Sequence, residues 1–89
     1  MAQVKFTPAL TRHIDCPPQA AKGASVREVL DIVFARNPRA RNYVLDDQLA
    51  LRKHIAVFVN GRRIKDLVHL SDAVAPDDEI YVLQALSGG

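Results

Sequence analysis

The sequence is poor in cysteine and glycine, and each shortage excludes a class of site. Cys16 is the one cysteine among 89 residues, which excludes an internal disulfide and a cysteine-rich zinc site. Of the four glycines, Gly23 and Gly61 lie inside the sequence, and Gly88 and Gly89 are its last two residues. A glycine-rich loop that cradles phosphate groups therefore has no counterpart here.

Long hydrophobic runs are also missing. No stretch approaches the ~20 apolar residues that a membrane-spanning helix needs. The first residues do not combine a basic start with an apolar block, as a secretory signal would. With 48% hydrophobic and 25% charged residues, the composition is that of a folded globular domain. We therefore expect one small cytoplasmic domain with no membrane partner, too small for a large internal active site.

The numbers of basic and acidic residues are similar, but the basic residues are concentrated in one part of the sequence. The formal net charge is +2, whereas residues 36–65 contain eight basic and two acidic side chains. Such a segment can form a basic surface that attracts an acidic protein or RNA. Aromatic residues make up only 6% of the chain and no helix-turn-helix pattern occurs, so we expect no nucleic-acid partner. A basic surface that simply faces solvent is the alternative.

The familiar catalytic and metal-binding patterns are absent as well. The three histidines, His13, His54 and His69, fit no spaced metal motif such as H-E-x-x-H, so we predict no metal site. Cys16 has no neighbouring base that would activate its thiol. Turn chemistry explains the acidic run of residues 77–79 better than cation binding does. We therefore expect a protein that is not itself an enzyme.

One segment has the pattern of an amphipathic helix. Ser25 and Glu28 have the spacing of a capping box, in which the serine accepts from the Glu28 amide and the glutamate reaches back to the Ser25 amide. Pro38 ends the helix, which we place over residues 25–36, and a short helical piece is predicted over residues 40–45. Apolar side chains recur at helical spacing between these limits: Val26, Val29, Leu30, Val33 and Phe34.

Alternating or β-branched segments predict the strands. Residues 2–7 alternate apolar and polar side chains, and residues 54–59 and 80–83 are rich in β-branched and aromatic residues. A short strand is predicted over residues 19–22. Asn-Gly follows residue 59 and favours a type I′ hairpin, which sends a return strand through residues 62–64.

These elements predict an α+β domain with one main helix packed on one face of a small mixed sheet. The first and last strands are expected to pair at its centre. Residues 67–70 are expected to form a turn of 3₁₀ helix. Pro8 is expected to end the first strand or to start a turn, and residues 9–18 to be irregular. The core is predicted to contain the helix stripe and the inward strand residues: Val4, Phe6, Ile55, Val57, Val59, Ile80 and Val82.

The two terminal glycines follow the last predicted strand after only a few residues. We divide the chain into a domain of residues 1–84 and a tail of residues 85–89. Glycine lacks a Cβ, so Gly88 and Gly89 can pass through a narrow channel. A terminal carboxylate is a poor electrophile until another enzyme converts it to an adenylate or thioester. This arrangement favours a carrier whose chemistry takes place on partner proteins.

Three segments in order resemble the ubiquitin-like sulfur carriers of the ThiS/MoaD family: residues 57–61 (VFVNG), residues 76–80 (PDDEI) and residues 86–89 (LSGG). The early strand and the helix fall in the matching order, so the resemblance covers essentially the whole chain. It implies a β-grasp fold. It also implies that a ubiquitin-activating-type enzyme adenylates Gly89 at the expense of ATP, while the carrier itself binds no cofactor.

The resemblance further implies that a sulfur donor, a cysteine desulfurase or rhodanese relay, converts the adenylate to a thiocarboxylate. A sulfur-accepting synthase would then use that sulfur for molybdopterin, cysteine or the thiamine thiazole. Leu86, Ser87 and Gly88 match the positions through which partners recognise the tail. Leu83 matches a last-strand position that contacts activating enzymes.

The strand alternation predicts which side chains face away from the helix. If Val57, Val59, Ile80 and Val82 point inward, Phe58, Tyr81 and Leu83 point outward. Together with the nearby basic pair, they would form a docking surface for a partner: Phe58, Tyr81, Leu83, Arg62 and Arg63. Loops or a second copy of the chain covering this face are the alternative.

Two other functions stay open at this stage. A protein modifier that forms isopeptide bonds through Gly89 begins with the same adenylate. A plain β-grasp interaction module would use the fold alone, with the terminal glycines incidental.

Overall fold

The computed structural model describes residues 1–11 and 16–84. Five strands and three helices follow one another along this part of the chain: β1 (Ala2–Phe6), α1 (Pro8–Thr11), β2 (Gln19–Ala21), α2 (Val26–Arg36), α3 (Pro38–Val44), β3 (Ile55–Val59), β4 (Arg62–Arg63) and β5 (Glu79–Gln84). The division into a domain of residues 1–84 and a tail of residues 85–89 stays a prediction, because the tail lies outside the described residues.

The strands form one mixed sheet in the order β2-β1-β5-β3-β4. β1 and β5 run parallel at its centre, with Val4 opposite Ile80, and the other neighbouring strands are antiparallel. The predicted central pairing of the first and last strands is therefore confirmed. This sheet with α2 on one face is the β-grasp architecture expected from the resemblance.

The start of α2 follows from its capping residues. Ser25 has an extended backbone (φ −140°, ψ 162°), and its hydroxyl accepts a hydrogen bond from the Glu28 amide at 3.2 Å. The Glu28 carboxylate accepts from the Ala24 amide at 3.2 Å, one residue before the predicted donor. An N-cap of this kind is worth about 1 kcal/mol. The five predicted stripe residues are all buried: Val26, Val29, Leu30, Val33 and Phe34.

Two prolines begin helices in this fold. Pro38 lies in the first turn of α3, which starts two residues before the predicted piece. Pro8 starts the single turn of α1, whose following residues were predicted to be irregular. Proline suits the first helical turn because its missing N–H has no partner there in any helix. The expected 3₁₀ helix over residues 67–70 is wrong: residues 67–69 form a turn, in which the Asp66 carboxylate accepts from the amides of Val68 and His69.

The core lies between α2, α3 and the sheet. Six of the seven inward strand residues predicted for the core are buried, and Val59 is half-buried and packs against them. Val59 is less covered because it lies at the hairpin end of β3, beside an edge strand of only two residues. No polar or charged side chain is buried among the residues that the structure describes.

Candidate functional site

Alternate residues of four neighbouring strands lie on the face of the sheet opposite α2. On this face, Lys5 of β1 lies opposite Tyr81 of β5, Tyr81 lies opposite Phe58 of β3, and Phe58 lies opposite Arg63 of β4. Directly opposed side chains on neighbouring strands lie about 4.5–5.5 Å apart at Cβ, so these four form a continuous row. We call it the open-face row: Lys5, Tyr81, Phe58 and Arg63.

The middle of the open-face row is apolar and its two ends are basic. Phe58 and Tyr81 are half-buried, and Arg63 is exposed. Leu83, two residues further along β5, is also half-buried and lies opposite Ala56. The structure therefore brings together the three apolar residues that the sequence placed on an outward surface. An apolar centre bordered by charge is the usual composition of a protein-protein contact.

Lys5 is a member of this face that the sequence analysis did not include. Its Nζ lies 5.6 Å from the centroid of the Tyr81 ring and 3.4 Å from Oε1 of Glu79. The Glu79 carboxylate raises the pKa of Lys5, and Tyr81 adds to this effect. The alternation of Val4 and Phe6 into the core already placed Lys5 outward. Combined with the predicted pairing of the first and last strands, it could have placed this residue beside Tyr81.

The two arginines of β4 do not point in the same direction. Arg63 lies opposite Phe58 on the open face, whereas Arg62 lies opposite Val59, whose side chain packs against the core. Both arginines are exposed. Of the predicted basic pair, one residue joins the open-face row and the other lies at the edge of the sheet.

The base of the C-terminal segment is tied to α3. The Tyr43 hydroxyl lies 3.2 Å from Oε1 of Gln84, the last described residue. The edge of the Tyr43 ring meets the His54 ring, with centroids 5.6 Å apart and the planes at 90°. β5 is thus held at its end by a contact between residues 41 positions apart in sequence. The predicted tail residues lie outside the described residues: Leu86, Ser87, Gly88 and Gly89.

Two of the segments that carried the family resemblance contact each other. Asn60 (φ 49°) and Gly61 (φ 84°) form the predicted type I′ turn. The Asn60 side chain donates to Oδ1 of Asp78 at 2.8 Å and accepts from the Glu79 amide at 2.9 Å. The Ala75 amide and, next, Asn60 lower the pKa of Asp78. These segments therefore fix the ends of β3 and β5, which position the open-face row.

The described residues contain no group of three or more histidine, cysteine or acidic side chains that could hold a metal ion. Cys16 is buried, and Nε2 of Gln19 lies 3.6 Å from its sulfur. His54 and His69 are exposed, and His13 lies outside the described residues. In the same described ranges, no helix has the length and apolar character required to cross a membrane.

The sequence was compared with models of known protein families. The model of the ThiS family matches residues 10–89, which is most of the sequence. No curated protein sequence matches the chain at a significant level.

Solved structures with the same fold cover nearly all of the chain. A chain of the Amycolatopsis orientalis BexX/CysO complex is 27% identical and has a TM-score of 0.82, with 100% of both chains covered. Small archaeal modifier protein 1 from Methanosarcina acetivorans is 26% identical, with a TM-score of 0.81 and coverage of 99% of this chain and 95% of that one. SAMP1 from Haloferax volcanii is 25% identical, with a TM-score of 0.80 and coverage of 99% and 98%.

Proposed function

The chain belongs to the ThiS family of ubiquitin-like proteins, and from this premise we propose that it is a sulfur carrier that acts through Gly89. The observation that carries the proposal is the family match over residues 10–89, which includes the terminal Gly-Gly. The proposal requires Gly89 to bear the terminal carboxylate.

The proposed reaction begins on a ubiquitin-activating-type partner. A carboxylate oxygen of Gly89 attacks the α-phosphate of ATP, and pyrophosphate leaves. The outer sulfur of a persulfide, carried by a cysteine desulfurase or rhodanese relay, then adds to the acyl carbon, and AMP leaves. A second thiol cleaves the resulting acyl disulfide by forming a disulfide with the relay cysteine, which releases the thiocarboxylate. The resulting thiocarboxylate gives its sulfur to an accepting synthase in the synthesis of molybdopterin, cysteine or the thiamine thiazole. The carrier is a co-substrate in each step and supplies no catalytic group.

In this proposal, recognition is divided between two parts of the chain. The open-face row and Leu83 dock on the activating enzyme, and Leu86, Ser87 and Gly88 lead Gly89 into its active site. Gly88 suits a narrow approach because it has no Cβ. The rigid connection between the two parts is β5, whose end is held by the Tyr43–Gln84 hydrogen bond.

The test is the intact mass of the purified chain after incubation with ATP, a cognate activating enzyme and a sulfur donor. The expected product gains the mass difference of one oxygen replaced by sulfur, located at Gly89 by fragmentation. A matched variant with one alanine added after Gly89 should gain nothing. Charging of the extended variant, or no charging of the native chain by a partner active on another carrier, would contradict the proposal.

A protein modifier is the second candidate, because two of the structures 25–26% identical to this chain are named small archaeal modifier proteins. In that function, the adenylate of Gly89 leads to an isopeptide bond with a lysine of another protein. Proteomic detection of Gly-Gly remnants that depend on Gly89 would support the modifier. If cells accumulate the thiocarboxylate but contain no such remnants, the sulfur carrier is the supported function and the modifier is not.

A further inference from the structure

A groove of about 480 Å³ runs along the free edge of β4. We call it the β4 groove. Its apolar part is formed by the half-buried Val59 and the buried Ile64, and its basic part by Arg62, Arg63 and Lys65. It therefore offers apolar contact and positive charge along one strand edge.

The positive charge of the β4 groove is only partly compensated. Within residues 1–11 and 16–84, the Arg62 and Arg63 side chains have no ion pair or hydrogen-bond partner. Asp72 is the acidic residue of the groove. Its carboxylate accepts from the backbone amides of Lys65 at 2.9 Å and Asp66 at 2.8 Å, which lower its pKa. The groove is thus lined by three basic residues and by one carboxylate that is engaged by the backbone.

The backbone of β4 is open on the side of the groove. The Ile64 amide donates to the Val57 carbonyl at 3.0 Å, toward β3. Along a strand, successive residues direct their N–H and C=O groups to opposite sides, so those of Arg63 point away from β3. An edge strand with such groups is a template for one more strand.

We propose that the β4 groove binds an extended acidic segment of a partner protein, which adds beside Arg63 as a strand. Alternate side chains of an added strand point to opposite sides. Carboxylates on one side can therefore meet Arg63, while side chains on the other side reach Arg62 and the apolar part of the groove. An apolar surface beside a strand edge favours a peptide over RNA, because RNA phosphates form no favourable contact with either feature. The Asp72 carboxylate would also repel the phosphates. Binding requires no activation of Gly89, so the inference stands apart from the carrier chemistry.

The experiment titrates the ¹⁵N-labelled chain with a short end-blocked peptide of alternating valine and aspartate. We expect chemical-shift changes centred on β4 and residues 72–73, slower hydrogen exchange at the Arg63 amide, and weaker binding at high salt. The same peptide with lysine in place of aspartate should not bind. No shift changes, changes centred on Phe58 and Tyr81, or equal binding of the lysine peptide would overturn the proposal.

Charge-reversal variants locate the binding. Arg62→Glu/Arg63→Glu should weaken the aspartate peptide about tenfold or more, since each lost or reversed ion pair contributes modestly. Arg39→Glu/Arg41→Glu on α3 is the matched control, because both residues are exposed and belong to the same basic segment. The control should bind as the native chain does, and equal loss in both variants would overturn the site. Arg62→Gln/Arg63→Gln repeats the test with less risk to folding, and tighter binding of an oligouridine than of the peptide would refute the choice of partner.

Discussion

The prediction that best tests the open-face row is the substitution Phe58→Ala. Phe58 lies between Tyr81 and Arg63 in the row and is half-buried in the free chain. Full burial of an aromatic side chain covers about 150–250 Å², and we take on the order of 50 Å² of Phe58 as the part still available to a partner. At ~25 cal/mol per Å², that area is worth roughly 1 kcal/mol, and a central position raises the value to about 2 kcal/mol.

The assay is ATP–pyrophosphate exchange by the activating enzyme, with the carrier as the varied substrate. We expect the KM for the carrier to rise about 5- to 30-fold, which corresponds to 1–2 kcal/mol. The kcat should stay nearly unchanged, because docking binds substrate and transition state alike and the proposed reaction occurs at Gly89.

The matched control is Val68→Ala. Val68 is 57% exposed, and its carbonyl accepts from Arg27 of α2, so it lies on the helix side of the molecule. An equal rise of KM in Val68→Ala, or a fall of kcat without a change of KM in Phe58→Ala, would refute the assignment of the docking face. The amide spectrum of each variant at the assay temperature shows that the fold is retained.

Three further predictions concern stability. In Gly23→Ala, the new Cβ would lie 2.8 Å from a methyl group of α2 and 2.9 Å from its backbone, so urea unfolding should show a loss of about 1–3 kcal/mol; Gly61→Ala meets no atom within 4 Å and should lose about 1 kcal/mol, from its φ of 84° alone. An equal loss in both would contradict the crowding argument. The Ser71 hydroxyl and nearby amides lower the pKa of Asp66, so its contribution to stability is complete above its ordinary value of 3.8 and is lost as pH falls below it. Asp66→Asn should therefore be less stable at neutral pH, with a shallower acid decline of its urea midpoint, and an unchanged acid slope would exclude this role. Arg27→Lys should speed hydrogen exchange in residues 66–70 and leave β1 unchanged, because the arginine donates to the carbonyls of residues 49, 68 and 69.

Most of the fold could be predicted because short-range rules determine it. Two-residue alternation located β1, the capping box located α2, and Asn-Gly located the turn between β3 and β4. Pro38 was correctly interpreted as the residue that closes α2, but the helix that it begins was placed two residues too late. Pro8 was interpreted as the end of β1 or the start of a turn, and it begins a single helical turn. Proline disfavours the helical conformation of the residue before it and is itself well suited to start a helix, so its presence alone does not distinguish the two outcomes.

The site was less predictable because it depends on contacts between distant residues. Facing directions of Phe58 and Tyr81 follow from alternation, but their place in one row with Lys5 requires the strand order. The hydrogen bond from Tyr43 to Gln84 joins α3 to the end of β5, and no local pattern indicates it. Gly89 was selected by a resemblance in the tail, which lies outside the described residues, so its role stays a proposal.

The contact between Asn60 and Asp78 changes how the family resemblance should be interpreted. Both residues belong to segments that first indicated a sulfur carrier, yet their hydrogen bonds are structural, since they join the turn after β3 to the start of β5. Asn60→Ala should therefore alter function only through the register and stability of these two strands. The apolar centre of the open-face row lies on the same two strands, whereas its basic ends, Lys5 on β1 and Arg63 on β4, are outside those segments. Because a terminal Gly-Gly offers little to distinguish one carrier from another, we infer that the choice of partner depends on such side chains.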